Sequence, residues 1–186
     1  MNPDRHLILI GLMGAGKTTV GEECARRLGR GFVDTDQVVE ANAGESVAAI
    51  FDREGEIGFR VRERAALAAA LAGPEPLVIA CGGGAMVDGA NRRDVRAAGV
   101  VVWLQAPPEV LTTRVRQDGI GARPLLANGP TTVTLTRMAD ARAEAYGAAA
   151  HVAVDTQGKT VDGVAHDVLA AFAAESGGGG FGEVAP

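Results

Sequence analysis

Short apolar runs alternate with helical stripes along the whole chain. His6 to Ile10 is a continuous apolar run that stops at Gly11, the pattern of a strand covered on both faces. A glycine-rich turn follows. From Lys17 to about Leu28, Val20, Cys24 and Leu28 recur every four residues, one face of a helix that Gly29 can end. Gly31 to Asp34 predicts a second short strand. Ser46 can cap a helix carrying Val47, Ile50 and Phe51. A longer helix is expected from about Glu56 to Leu71, with Ile57, Val61, Ala65 and Ala68 as its apolar face and Pro74 and Pro76 beyond its end.

The second half repeats the pattern. Leu77 to Ala80 predicts a strand running into Gly82, Gly83 and Gly84. Asp88 to Ala98 predicts a helix, and Val100 to Leu104, with three consecutive valines, a strand. Pro107 and Pro108 can open the next helix. From Asp118 to Pro130 the periodicity fails, which predicts a long loop of the kind that usually serves function. A helix from about Thr131 to Ala149, a strand at Val152 to Val154, and a helix on Val161, Val164, Ala165, Val168, Leu169 and Phe172 complete the series. Ser176 to Pro186, with four consecutive glycines, reads as a flexible tail. Strands alternating with helices predict an α/β fold of three layers, a central parallel sheet of about five strands flanked by helices. One domain is expected over residues 1–175, followed by the tail 176–186.

Composition narrows the function classes. The formal net charge of −5 gives no reason to expect attraction to nucleic acid or to an anionic membrane, so an anionic substrate must meet a local basic cluster. Of the 18 Lys and Arg residues only Lys17 and Lys159 are lysine. Cys24 and Cys81 lie far apart, form no metal-ligand spacing, and read as buried small hydrophobes in a reducing compartment. Leu7 to Ile10 is too short for a signal segment or a membrane span, and the cytoplasm is the expected location.

The segment Gly11-Leu12-Met13-Gly14-Ala15-Gly16-Lys17-Thr18 fits G-x-x-x-x-G-K-[ST], between a strand and a helix as that phosphate-binding loop requires. Its backbone N–H groups and the helix N-terminus face an anion. Lys17 can reach the outer phosphates of ATP, and the Thr18 hydroxyl can ligate Mg²⁺. Gly14, Ala15, Gly16 and Thr19 complete the nucleotide cradle. Asp34-Thr35-Asp36 closes the second strand at the end where such sheets bind ligands. If that segment is extended, its alternation puts both carboxylates on one side, one for a metal and one for a substrate hydroxyl. Asp36 could equally cap a helix. Arg60 and Glu63 are neighbours on a helix, an ordinary ion pair or part of a site. Gly82, Gly83 and Gly84 after a strand suggest close approach of backbone to ligand, or a plain turn. Arg123 stands before Pro124 in the long loop, which stiffens its presentation, and Arg142 and Tyr146 lie four apart on the next helix.

In this order the segments resemble the shikimate kinase family, over nearly the whole chain up to about Glu175. GLMGAGKTTVG resembles the family's nucleotide loop. DTD at 34 to 36, GE-x-x-FR-x-x-E across Gly55 to Glu63, GGG at 82 to 84 and RPLL at 123 to 126 match its signatures. The resemblance implies a P-loop kinase fold with a mobile lid at about 118–130. It also implies a monomer that transfers phosphate from ATP, with Mg²⁺, to the 3-hydroxyl of shikimate in chorismate and aromatic amino-acid biosynthesis. Lys17 would bind the transferred phosphate, Thr18 the metal, and Asp34 the metal through water. Asp36 would contact shikimate hydroxyls and act as base. Arg60, Gly82, Gly83, Gly84 and Arg142 would form the shikimate site, the two arginines gripping its carboxylate. Arg123 would come from the lid, and Arg116, or else Arg114, would pack on adenine. One departure stands out: the family has proline two residues after the shikimate-binding arginine, where this chain has Glu144. Glu144 is expected to face outward. A gluconate or other sugar-acid kinase is the alternative reading, and a nucleotide-binding module without catalysis a more remote one.

Overall fold

β1 (His6–Ile10) is buried along its whole length, as an unbroken apolar run dictates for a strand with neighbours on both sides and helices on both faces. In the computed structural model, which describes residues 5–117 and 132–177, it is the centre of a five-stranded parallel sheet of order β2-β3-β1-β4-β5. β2 is Phe32–Asp34, β3 Val78–Ala80, β4 Gly99–Gln105 and β5 Val152–Asp155. Leu7, Ile8 and Leu9 of β1 pair with Val78, Ile79 and Ala80 on one side and with Val100, Val101 and Val102 on the other.

The helices are α1 (Lys17–Leu28), α2 (Thr35–Ala43), α3 (Val47–Leu71), α4 (Gly89–Ala98), α5 (Pro108–Gln117), α6 (Thr132–Ala149) and α7 (Val161–Gly177). From β1 to β2 the chain moves one way across the sheet, and from β3 to β4 the other. Right-handed crossovers in both directions put α1 and α4 on opposite faces. α1 packs with α7, and α4 with α6. The three-layer arrangement agrees with the pattern read from the sequence, including Gly29 as the left-handed stop of α1 and Pro108 as the first residue of α5. Cys24 and Cys81 are both buried.

Two boundaries and one helix face differ from expectation. The helices expected before and after Gly55 run together as α3, kinked at Gly55, whose φ of 69° breaks the helical path. α7 continues through Gly177, and Ser176 is buried, so the tail cannot begin at 176; residues 178–186 lie outside the described residues. The apolar face assigned to α3 is the wrong one. Ile57 is 83% and Val61 66% exposed, and Ala65 and Ala68 also face out. The buried stripe is Phe59, Glu63, Ala66 and Leu67. Phe59 and Ala66 join Val39 and Ile50 in a second, smaller core between α2 and α3. That rotation turns Arg60 and Glu63 towards the carboxyl ends of the strands.

Candidate active site

The first turn of α1 follows Gly16, whose φ of 92° lies in the left-handed region, so the chain can bend sharply from loop to helix at no steric cost. Lys17 opens the helix, and its Nζ donates to the carbonyls of Gly11 (2.9 Å) and Leu12 (3.0 Å), which holds the ammonium over the loop. The Thr18 hydroxyl donates to Oδ2 of Asp34 at 2.7 Å.

Asp34, the last residue of β2, is also the N-cap of α2: its Oδ1 accepts the backbone N–H of Asp36 (3.0 Å) and of Gln37 (3.4 Å). The cap is therefore Asp34 and not Asp36, and the Asp34-Thr35-Asp36 segment is not extended, since Thr35 already starts the helix. Both carboxylates still line one cleft, because Asp36 stands in the first turn of α2. Thr35 accepts the N–H of Gly82 (2.9 Å) and ties that loop to β2.

Two carboxylates meet at Gly82. A Cβ there would collide with Oε1 of Glu63 and Oδ1 of Asp36, so only glycine lets both approach. Both oxygens are buried with no hydrogen-bond partner among the described residues. Burial pushes the Asp36 carboxyl up to about 6, with the charges of Asp34 and Glu63 adding to it and Lys17 and Arg60 opposing. Burial also raises the Glu63 carboxyl, against the pull of Arg60. Arg60 donates to Oε2 of Glu63 (2.6 Å) and to Glu56 (3.0 Å) and lies over the Phe59 ring. A Cβ on Gly84 would collide with the Arg60 guanidinium. From α6, Arg142 donates to the carbonyl of Gly83 (3.0 Å), and Tyr146 donates to the same carbonyl (2.5 Å). Glu144 faces solvent, as expected.

These groups share a cleft of about 600 Å³. Gly14, Ala15, Gly16, Lys17, Thr18, Thr19, Asp34, Asp36, Arg60, Gly83, Gly84 and Arg142 all line it. Gly82 is covered and acts beneath the surface. Val47, Phe51 and Phe59 form an apolar wall, with the two rings 4.6 Å apart. Of the two arginines considered for adenine, Arg114 lines the cleft and Arg116 is exposed and does not. Arg114 donates to Gly14 (3.3 Å), and to the hydroxyl (2.9 Å) and the carbonyl (2.8 Å) of Thr156, which joins the phosphate loop to the turn after β5. Arg123 and the proposed lid at 118–130 lie outside the described residues.

Four contributors were not legible as site residues in the sequence. Glu63 was visible in its spacing from Arg60, but its burial was not. Tyr146 was visible only as a neighbour of Arg142. Lys159 and Gln117 line the nucleotide end and carry no motif. Among the described residues no group of three or more His, Cys, Asp or Glu side chains could hold a metal alone. None of the described helices is long and apolar enough to cross a membrane.

A profile of the family described as shikimate kinase matches residues 13–173. The shikimate kinase of Symbiobacterium thermophilum is 47% identical over 164 residues, covering 88% of this chain and 94% of the relative. The structure of shikimate kinase from Acinetobacter baumannii in complex with shikimate superposes with a TM-score of 0.88 at 34% identity, covering 94% of this chain and 96% of that one. A gluconokinase from Sinorhizobium meliloti 1021 superposes with a TM-score of 0.61 at 17% identity, over 95% of each chain, a likeness of fold alone.

Proposed function

The chain belongs to the shikimate kinase family, and we propose a division of labour among its residues for that family's reaction. ATP phosphorylates the 3-hydroxyl of shikimate to give shikimate 3-phosphate and ADP, a step in chorismate and aromatic amino-acid biosynthesis. The observation that carries the assignment is the convergence, in one cleft, of a phosphate loop, a buried carboxylate and two arginines from different elements.

Phosphoryl transfer asks for positioning and charge neutralisation more than for covalent chemistry. The phosphate chain of ATP lies along Gly14 to Thr19, with Lys17 at the transferred group. Arg60 and Arg142 present planar donors to the carboxylate of shikimate. Asp36 orients the attacking 3-hydroxyl and accepts its proton; a carboxyl lifted to about 6 suits a base that works near neutral pH. The wall of Val47, Phe51 and Phe59 keeps water from the reacting groups. Arg114, Gln117, Thr156 and Lys159 hold the nucleoside end. Arg123 is assigned to the phosphates on the resemblance alone.

Mg²⁺ fits the donors present. The Thr18 hydroxyl and the Asp34 carboxylate sit together beside the phosphate loop, and both are hard oxygen ligands. So few protein ligands suit an ion that completes its shell with phosphate oxygens and water. Bound there, Mg²⁺ would neutralise phosphate charge. A monomer is the simplest form for this activity, since one chain carries every residue named.

The gluconate reading asks for the same loop and arginines. The GGG segment at 82 to 84, whose Gly82 lets Glu63 and Asp36 approach, and the RPLL segment at 123 to 126 favour shikimate. Coupled ADP release with shikimate, gluconate and nucleoside monophosphates as acceptors tests the assignment. Turnover with shikimate alone supports it.

A further inference from the structure

The Gly83 carbonyl accepts two hydrogen bonds from one face of α6. One comes from Arg142, which lines the cleft, and the other from Tyr146, four residues on, which does not. The geometry points to Tyr146 as a positioning residue for substrate binding: its hydroxyl fixes the Gly83 peptide, and through it the loop and the guanidinium that meet the substrate carboxylate. This rests on the shikimate reading of the cleft.

Tyr146 is built for that task. It is 1% exposed, and its ring packs on Trp103 at 5.4 Å, so the hydroxyl has little freedom. Burial pushes the phenol up to about 12, which keeps the proton on the oxygen throughout the working range. The bond of 2.5 Å is shorter than the one from Arg142. A peptide carbonyl has two lone pairs, and here each has a donor. With the carbonyl direction set, the plane of the Gly83–Gly84 peptide is set too, because the amide is rigid. That loop lacks side chains to anchor it. Gly84 has the Arg60 guanidinium against its Cα, and Gly82 has two carboxylates against it, so neither could carry a Cβ. A glycine run would otherwise sample many conformations, and its order must come from partners such as Tyr146.

The test is Tyr146→Phe, which keeps the ring and removes the hydroxyl. Trp103 is the one tryptophan of the chain and touches that ring, so its emission reports whether the packing survives. The expected result is a KM for shikimate raised about three- to tenfold, the net worth of one hydrogen bond. The KM for ATP and kcat should stay within about twofold, with Trp103 emission unchanged. An unchanged KM for shikimate with intact emission would overturn the proposal. So would an equal rise in both KM values with altered emission, which would make Tyr146 a packing residue only. Failure of the unsubstituted protein to phosphorylate shikimate would refute the functional assignment instead, a separate result.

Discussion

Oδ1 of Asp36 and Oε1 of Glu63 converge on the point where a Cβ of Gly82 would stand, both buried and both without a hydrogen-bond partner among the described residues. Both carboxyls titrate higher in the folded protein than in the unfolded chain. Folding is therefore favoured when they are protonated, and that advantage is lost as the pH rises through their folded values. Asp36→Asn should raise Tm by several degrees near neutral pH, an effect of at most about 3 kcal/mol for this shift. The gain should shrink as the pH is lowered through 6 towards the unfolded value of 3.8. Thermal unfolding of both proteins across that window checks it; a gain independent of pH would show that the buried charge is not its source.

The same substitution should abolish most turnover. Asp36→Asn keeps the shape of the site but cannot accept the hydroxyl proton, a loss of roughly 10²-fold or more in kcat. ATP affinity should hold. In the unsubstituted enzyme kcat/KM for shikimate should fall on the acid side with a midpoint near 6, where Asp36 takes up its proton. A variant retaining more than about a tenth of kcat would remove Asp36 from the role of base.

Arg60→Ala and Arg142→Ala should each weaken shikimate binding by about 2 kcal/mol, the scale of a charge-assisted hydrogen bond, and leave ATP binding alone. Their stabilities should differ. Arg60→Ala leaves Glu63 buried without its cation, so it should lower Tm more than Arg142→Ala does. Titration calorimetry and thermal melts separate the two effects. Equal stabilities would mean that Glu63 does not depend on Arg60.

Asp34→Asn should raise the Mg²⁺ concentration needed for half-maximal rate, with kcat at saturating Mg²⁺ changed less than in Asp36→Asn. The two aspartates stand two residues apart, and only Asp34 touches the Thr18 hydroxyl. A Mg²⁺ titration of the two variants side by side reads this directly. An unchanged requirement in Asp34→Asn would take that residue out of the metal site.

Much of the site is local in sequence, and that part was legible. A phosphate loop needs a strand, a glycine turn and a helix in immediate succession, and Gly11 to Thr18 displays all three. What depends on distant elements was not. In α3, alanines sit on both candidate faces and give no contrast, so the i, i+4 series of Ile57 and Val61 pointed the wrong way; the register follows from the α2–α3 core and from Arg60. Glu63 looked like half of a surface pair, because the Gly82 loop that it packs against lies on a different element, beyond the end of α3. Asp34 rather than Asp36 caps α2 because β2 ends one residue before the helix starts, a boundary that propensity does not resolve.

This cleft is expected to select shikimate over sugar acids. With Mg-ATP, kcat/KM should be measured for shikimate and gluconate on one preparation, with the product identified by phosphorus NMR. Phosphorylation at the 3-hydroxyl of shikimate, at a kcat/KM about 10²-fold or more above that for gluconate, is the expected result. Gluconate turned over at an equal or better kcat/KM would contradict it.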